Sequence, residues 1–313
     1  AVFGEVYWQM NDTFKWTLGL RHTVDKKEVQ NHAVTLGTPG FGVGPPPGNS
    51  KPFLNVEFKE TTGRFGFDWH PDLGFTDESL IYAFYSRGYK AGGLNPACSA
   101  VVSCPPESFE PEFVNAIEVG MKNTLLEGRM TLNGSIFHYD YKGYQVSKIV
   151  NRTSINENVD AKVLGAEFEG VWQPLDGLRL NTAIGWLDTE IKDATSIDIF
   201  DRTQGNPNLI AVKSSEASAC VVKLTDAQTA LAISNSLNNP YALLSVCTPA
   251  STTGAGTVFN GATAVGTNAF GGLVSDGVTV DLDGNDLPNA PHWTISLGAQ
   301  YTWQFGNDWS ATL

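Results

Sequence analysis

The sequence predicts an all-β chain, an antiparallel transmembrane β-barrel, and three observations predict it. Long runs alternate apolar and polar residues, the connections between them alternate between tight turns and long loops, and the tryptophans gather near the tight turns. Period-two alternation puts every second side chain on one face of a strand, so each run has one apolar face. A soluble sandwich alternates too, but nothing in it sorts indole rings by height. A bilayer-spanning barrel holds them at the headgroup interface.

In chain order, residues 1–10 open the series in a weaker form. Phe14, Trp16, Leu18 and Leu20 then oppose Lys15, Thr17, Gly19 and Arg21. Weaker alternation follows at 64–70, 80–90, 113–124 and 129–142. It is clear again where Leu164, Ala166, Phe168 and Trp172 oppose Gly165, Glu167 and Glu169, and a further run covers 178–190. From Trp293 to Phe305 every odd position is apolar, through Ile295, Leu297, Ala299, Tyr301 and Trp303. With a last strand from Trp309, the expectation is about ten strands of a larger, incomplete barrel.

Tight turns are expected at Asn11-Asp12-Thr13, Glu127-Gly128, Leu175-Asp176-Gly177 and Gly306-Asn307-Asp308, with a slightly longer one over 71–79. Between them lie long irregular segments at 31–60, 91–112, 150–158 and 193–289. A polar loop of nearly a hundred residues is foreign to a compact soluble domain. Trp8, Trp16, Trp69, Trp172, Trp303 and Trp309 lie within three residues of a tight turn, while Trp186 and Trp293 sit toward the long loops. One end of the barrel therefore carries short turns and the other carries large, extracellular loops.

Composition agrees and excludes several classes. Thirty-two glycines, three methionines and 17 Phe, 9 Tyr and 8 Trp favour sheets over helix bundles. A formal charge of −13 repels a polyanion, so nucleic acid is not an expected partner. No stretch approaches the roughly 20 apolar residues of a membrane-spanning helix. Residues 1–10 lack the basic start and apolar run of a signal peptide.

Several stretches, with the strands placed, resemble the barrel domain of TonB-dependent outer-membrane receptors. They are Ala1-Val-Phe-Gly-Glu-Val-Tyr7 with Leu18-Gly-Leu-Arg-His-Thr23 and Asp25-Lys26-Lys27, then Ser86-Arg-Gly-Tyr-Lys-Ala-Gly-Gly-Leu-Asn95. Phe109-Glu-Pro-Glu112 with Glu118-Val-Gly-Met-Lys122, Gly165-Ala-Glu-Phe-Glu-Gly170 and Leu287-Pro-Asn-Ala-Pro291 complete the set in the family's order. The resemblance implies a non-enzymatic importer in the outer membrane of a Gram-negative bacterium. Its substrate would be a scarce, bulky nutrient, a small molecule or metal chelate such as a ferric siderophore, cobalamin or a glycan. It also implies a plug domain inside a barrel of roughly 22 strands and an energy-coupling TonB-type protein. Residues 1–313 then read as a partial barrel, with plug and carboxy-terminal strands absent and 193–289 as its large extracellular loop. The rival readings are a self-contained small porin or barrel enzyme, and a soluble β-rich binding or adhesion module.

Glu5, Glu118, Glu167, Glu169, Lys122 and Arg179 fall on polar strand faces and read as a lumen of salt bridges and hydrogen bonds in trapped water. Tyr85, Arg87, Tyr89 and Lys90 end a strand at the loop side. They are the substrate-binding candidates, although such residues at a strand end also snorkel to headgroups. Asp281-Leu-Asp283-Gly-Asn-Asp286 lacks the glycine and glutamate spacing of an EF-hand and reads as a solvated turn. The five histidines show no metal-ligand spacing, no catalytic motif appears and no cofactor is expected. Four cysteines permit three connectivities. Their distribution over two loops leads us to expect Cys98–Cys104 and Cys220–Cys247 bridges in an oxidising exterior. Thr225-Asp-Ala-Gln228 opens an expected helix to about Ser236 with a capping-box pattern.

Overall fold

The computed structural model describes residues 1–30, 53–96, 106–150, 153–212, 220–238, 246–247, 249–306 and 309–313. Its main body is one ten-stranded antiparallel sheet in which each strand lies beside its predecessor in the meander. The order runs β1 (Val2–Asn11), β2 (Phe14–Gln30), β3 (Phe53–Trp69) and β4 (Glu78–Lys90). A short pair, β5 (Gly93–Leu94) and β6 (Ser108–Phe109), interrupts it before β7 (Glu112–Leu125), β8 (Met130–Val150), β9 (Thr153–Leu175) and β10 (Leu178–Lys192).

After β10 the chain leaves the sheet and builds a second one. This contains β11 (Thr195–Ile197), β12 (Leu209–Val212), β13 (Cys220–Lys223), a helix α1 (Leu224–Ser236) beside it, β14 (Pro249–Ser251), β15 (Val258–Phe259), β16 (Ala262–Asn268) and β17 (Leu273–Asp281). The chain then returns to the first sheet as β18 (Trp293–Phe305), against β10, and β19 (Trp309–Thr312). No helix among the described residues is long and apolar enough to cross a membrane.

Register explains the outward face. Residues directly opposite each other in antiparallel strands share a face. Leu18, Phe65, Tyr85, Ile117, His138 and Leu164 form one such row. Ala83, Val119, Ile136 and Ala166 form the next below it, and Ile81, Met121, Gly134 and Phe168 the one after. Leu18, Phe65, Ile117, Val119, Ile136, Ile295 and Leu297 are all exposed, which only a lipid solvent tolerates on this scale. At the turn end Trp8 pairs with Trp16, Trp16 stacks on Phe65 at 5.0 Å, and Trp303 packs on Tyr301 at 4.8 Å. Trp186 pairs with Trp293 toward the loop end. The two aromatic bands expected from sequence bound the apolar belt.

The turns follow local chemistry. Leu126, Glu127 and Gly128 all take positive φ between β7 and β8. Gly177 has φ 84°, and a Cβ there would lie 2.6 Å from the Thr302 carbonyl, so the β9–β10 turn needs glycine twice over.

Four expectations are corrected. Residues 150–158 do not form a long irregular segment: β8 reaches Val150 and β9 starts at Thr153. These strand ends lie beyond the apolar belt, where water wets both faces and alternation has no cause. For the same reason β3 starts at Phe53, eleven residues before its expected start at 64. Within 193–289 the described residues form not an irregular loop but a folded subdomain with two cores. One comprises Cys220, Val222, Ala230, Val246, Cys247 and Val274, and the other Leu209, Val221, Phe259, Ala262 and Ala264. The capping box does not form either. The N-cap is Lys223, without a side-chain cap, and Thr225 lies inside the helix with its hydroxyl on Asp226. Because β13 runs straight into α1, the first helical N–H, on Leu224, goes to the Asn208 carbonyl at 2.9 Å.

Candidate functional site

The face opposite the apolar belt carries the ionisable groups. Arg64 Nε lies 2.7 Å from Glu5 Oε1, and Lys15 Nζ 2.7 Å from Asp68. The Tyr82 hydroxyl donates to Glu118 Oε1 at 2.7 Å. Its ring lies over Gly120, where any Cβ would come within 2.4 Å of it. Glu118, Lys122, Glu167 and Glu169 line one hollow with Ser135 and Asn133, while Arg179 lies near the turn end beside Arg129, Gln173 and Gln300. Glu167 and Glu169, two residues apart on one strand face, thus belong to a mixed-charge wall.

The four strand-end candidates separate. Tyr85, Arg87 and Tyr89 are brought together with Phe113 and Asn115. The Tyr85 hydroxyl donates to Asn115 Oδ1 at 3.0 Å, Arg87 donates to the same oxygen at 3.3 Å, and the guanidinium lies 4.4 Å from the Phe113 ring centroid. Tyr85 and Arg87 share the apolar face by register, since Tyr85 pairs with Phe65 and Ile117. Lys90 goes elsewhere: its ammonium lies 3.5 Å from Glu112 Oε2, which also accepts the Gln145 backbone N–H at 2.9 Å.

Residues that sequence reasoning missed fix the neighbouring chain over the strand ends. Asn95 is 2% exposed, donates to the Pro106 and Asn156 carbonyls at 3.0 and 3.1 Å, and accepts the Asn156 N–H at 2.8 Å. The Gln145 amide donates to Ala91 O at 3.0 Å, and the Asn158 amide to Glu110 O at 2.9 Å. A buried amide that meets three backbone groups holds a segment firmly, because leaving any of them unpaired costs about 1–3 kcal/mol. Asn95 stood inside the quoted Gly-Gly-Leu-Asn stretch, but nothing in sequence marks an asparagine as buried.

In the subdomain, Cys220 and Cys247 are disulfide-bonded with Cα atoms 5.4 Å apart. Cys98 and Cys104 lie outside the described residues. We expect mass mapping under non-reducing conditions to find them bridged to each other. Free thiols, or a link to the second loop, would refute that pairing.

The subdomain stands on a two-stranded stalk. At the last residues of β10, Ile191 N–H donates to Asn285 O at 2.8 Å and Gly284 N–H to Ile191 O at 3.0 Å, just beyond it Leu282 N–H donates to Ala194 O at 2.9 Å, and β11 then pairs with β17. At the foot of the stalk the His292 ring bridges both legs, with Nδ1 2.9 Å from Leu187 O and Nε2 3.3 Å from Asp286 Oδ2. The hydrogen bond to Leu187 O, and then the Asp286 charge, raise the His292 pKa above its ordinary 6.5. A raised histidine contributes stability that is fully present below the unfolded value and lost as pH rises through the folded one. Amide exchange at the stalk should therefore quicken as pH rises past 6.5, after correction for intrinsic rates. His292→Gln should abolish that step, and identical corrected profiles for the two proteins would refute the latch.

A profile described as TonB dependent receptor-like, beta-barrel, matches residues 1–313. Among solved structures, the ferric yersiniabactin uptake receptor FyuA of Yersinia pestis matches at 18% identity and TM-score 0.48, covering 71% of this chain and 30% of that one. The siderophore receptor PiuA of Acinetobacter baumannii matches at 16% identity and TM-score 0.49, covering 94% and 29%. The ferric-catecholate import receptor Fiu of E. coli K12 matches at 15% identity and TM-score 0.46, covering 70% and 30%. The chain spans about 30% of the length of these receptors. With its profile matched from end to end, its strands in an antiparallel meander and its apolar face turned outward, the chain belongs to the TonB-dependent receptor β-barrel family.

Proposed function

We propose that these strands are part of an outer-membrane importer of a scarce, bulky nutrient, a ferric siderophore, cobalamin or a glycan, in a Gram-negative bacterium. Import is energised through a TonB-type inner-membrane protein that acts on a plug held against the charged lumen wall. The barrel's part is passive: it offers apolar side chains to lipid, pairs its backbone internally and presents a mouth that gathers ligand. The observation that carries the proposal is the folded subdomain of residues 193–289, raised on its stalk at the end opposite the tight turns. A wide mouth has few concave walls, and a folded cover buries a ligand that strand ends leave wet.

Deleting 195–285 from the intact receptor, with a short Gly-Ser bridge, should leave surface abundance unchanged. Uptake from a panel of labelled ferric siderophores, cobalamin and oligosaccharides should fall for one class. If no class is lost, the subdomain shields the mouth from phage or antibodies. If no member is taken up even by the intact receptor while discrete ion conductance appears, the porin reading replaces the importer.

A further inference from the structure

At the end of the sheet opposite the subdomain, the lumen face carries a row of side chains that the wall itself leaves unused. Arg129, just before β8, lies beside Gln173 on β9, whose N–H donates to the Arg129 carbonyl at 2.8 Å. On the next strand Arg179 of β10 pairs with Gln300 of β18. The four line one hollow of about 390 Å³ beside the tight β9–β10 turn, which Thr302 N–H closes on the Gly177 carbonyl at 2.8 Å. With neighbouring strands about 4.8 Å apart, the two arginines stand about 10 Å from each other and the row spans about 14 Å.

Elsewhere near the turns the wall neutralises its own cations, Arg64 on Glu5 and Lys15 on Asp68, each at 2.7 Å. Here it does not. Among the described residues the Arg179 side chain has no ion pair or hydrogen bond, and Arg129 has only Asp176, 3.7 Å away and fully exposed at the turn tip. Two cations in one hollow repel each other, and the amides of Gln173 and Gln300 bring no charge to offset them. Each guanidinium presents a fork of donors to a carboxylate, and each glutamine presents donors and an acceptor, the complement of a peptide group. In a polyproline-II chain, residues three apart share a face and lie about 9 Å from each other, which matches the spacing of the arginines. A single small anion reaches both arginines only by drawing them together, and it leaves the amides unused.

We propose that this row is a docking ledge at the periplasmic rim for an extended acidic peptide segment. Carboxylates three residues apart sit on Arg129 and Arg179, and the peptide backbone sits on Gln173 and Gln300. The segment arrives from the periplasm, because the hollow lies at the turns, and Glu169 and Glu167 further along the same face of β9 repel an acidic chain from the lumen side. The side on which the turns lie rests on the outer-membrane reading above, and the identity of the nutrient plays no part.

The test uses detergent-purified full-length receptor and the fluorescence anisotropy of labelled peptides. One peptide carries glutamates three residues apart, a second has the same composition with its glutamates adjacent, and a third has glutamine in their place. We expect the first to bind best, the third not to bind, and affinity to fall as salt rises. Arg129→Gln and Arg179→Gln should each weaken the first peptide about fivefold, the scale of an exposed ion pair. A receptor with both Arg129→Glu and Arg179→Glu should bind the lysine counterpart of that peptide instead. Wild-type affinity in both glutamine variants overturns the ledge. So does displacement by inorganic phosphate at matched ionic strength, which marks a free-anion site, and so does binding that appears only after the plug is deleted, which means that the plug already covers the row. On whole cells the peptide should bind only once the outer membrane is permeabilised. Binding to intact cells places the turns outside and overturns the orientation beneath the proposal, while the ledge itself stands or falls on the purified receptor.

Discussion

Leu297→Arg in the full-length receptor destabilises the folded barrel by about 2–4 kcal/mol in lipid vesicles, the cost of a cation on the lipid face near the bilayer midplane. Leu297 is 74% exposed, pairs with Thr182, and lies on β18 between Trp293 toward the loop end and Trp303 toward the turn end. Its neighbour Ser296 faces the other way, so Ser296→Arg supplies the control. A denaturant titration should show the first substitution costly and the second nearly neutral. Equal costs for both would mean that the outward face is misassigned.

Replacing Cys220 and Cys247 together by serine loosens the subdomain while leaving the barrel intact. The bridge closes a separation of 27 residues, about 3 kcal/mol in the chain-entropy model, and both cysteines sit in the core with Val222, Ala230, Val246 and Val274. Since that core contains no residue of the ten-strand sheet, hydrogen exchange of the intact receptor should accelerate over 193–289 and stay slow in β7 to β10. Unchanged protection over 193–289 would deny the bridge a stabilising part. Loss of protection in both would deny the subdomain its independence.

Lipid wrote the pattern that made the main sheet readable. Where one strand face meets hydrocarbon and the other meets a charged lumen, the sequence alternates, as from Trp293 to Phe305, and the strand can be placed to the residue. Past the belt this pressure ends, and Asn156, Glu157 and Asn158 on β9 read as loop although they are paired strand. The subdomain was hidden for another reason. Its strands are two to nine residues long and its cores are built mostly from Val, Ala and Cys, with Leu209 and Phe259 as the large members, so no run reaches the length at which alternation speaks. Arg87 was visible as a candidate, but which way it faces followed only from its pairing with Gly63 and Asn115. Its neighbours in space, Phe113 and Asn115, lie more than twenty positions along the chain.

The stalk beneath the subdomain bears on the order in which the barrel assembles. Most strands of the sheet pair with one that leaves the ribosome just before them, but β18 must find β10 across about a hundred residues, from Lys192 to Trp293. Relative to the connection from Gln30 to Phe53, that is roughly two more doublings of loop length, or about 1.2 kcal/mol of closure entropy. Once the subdomain has folded, Ile191 and Asn285 are already bonded, and the span left to close shrinks to a few residues. Folded first, it acts as a splint that delivers β18 to its place, and a defect deep in its small core would then slow barrel closure itself.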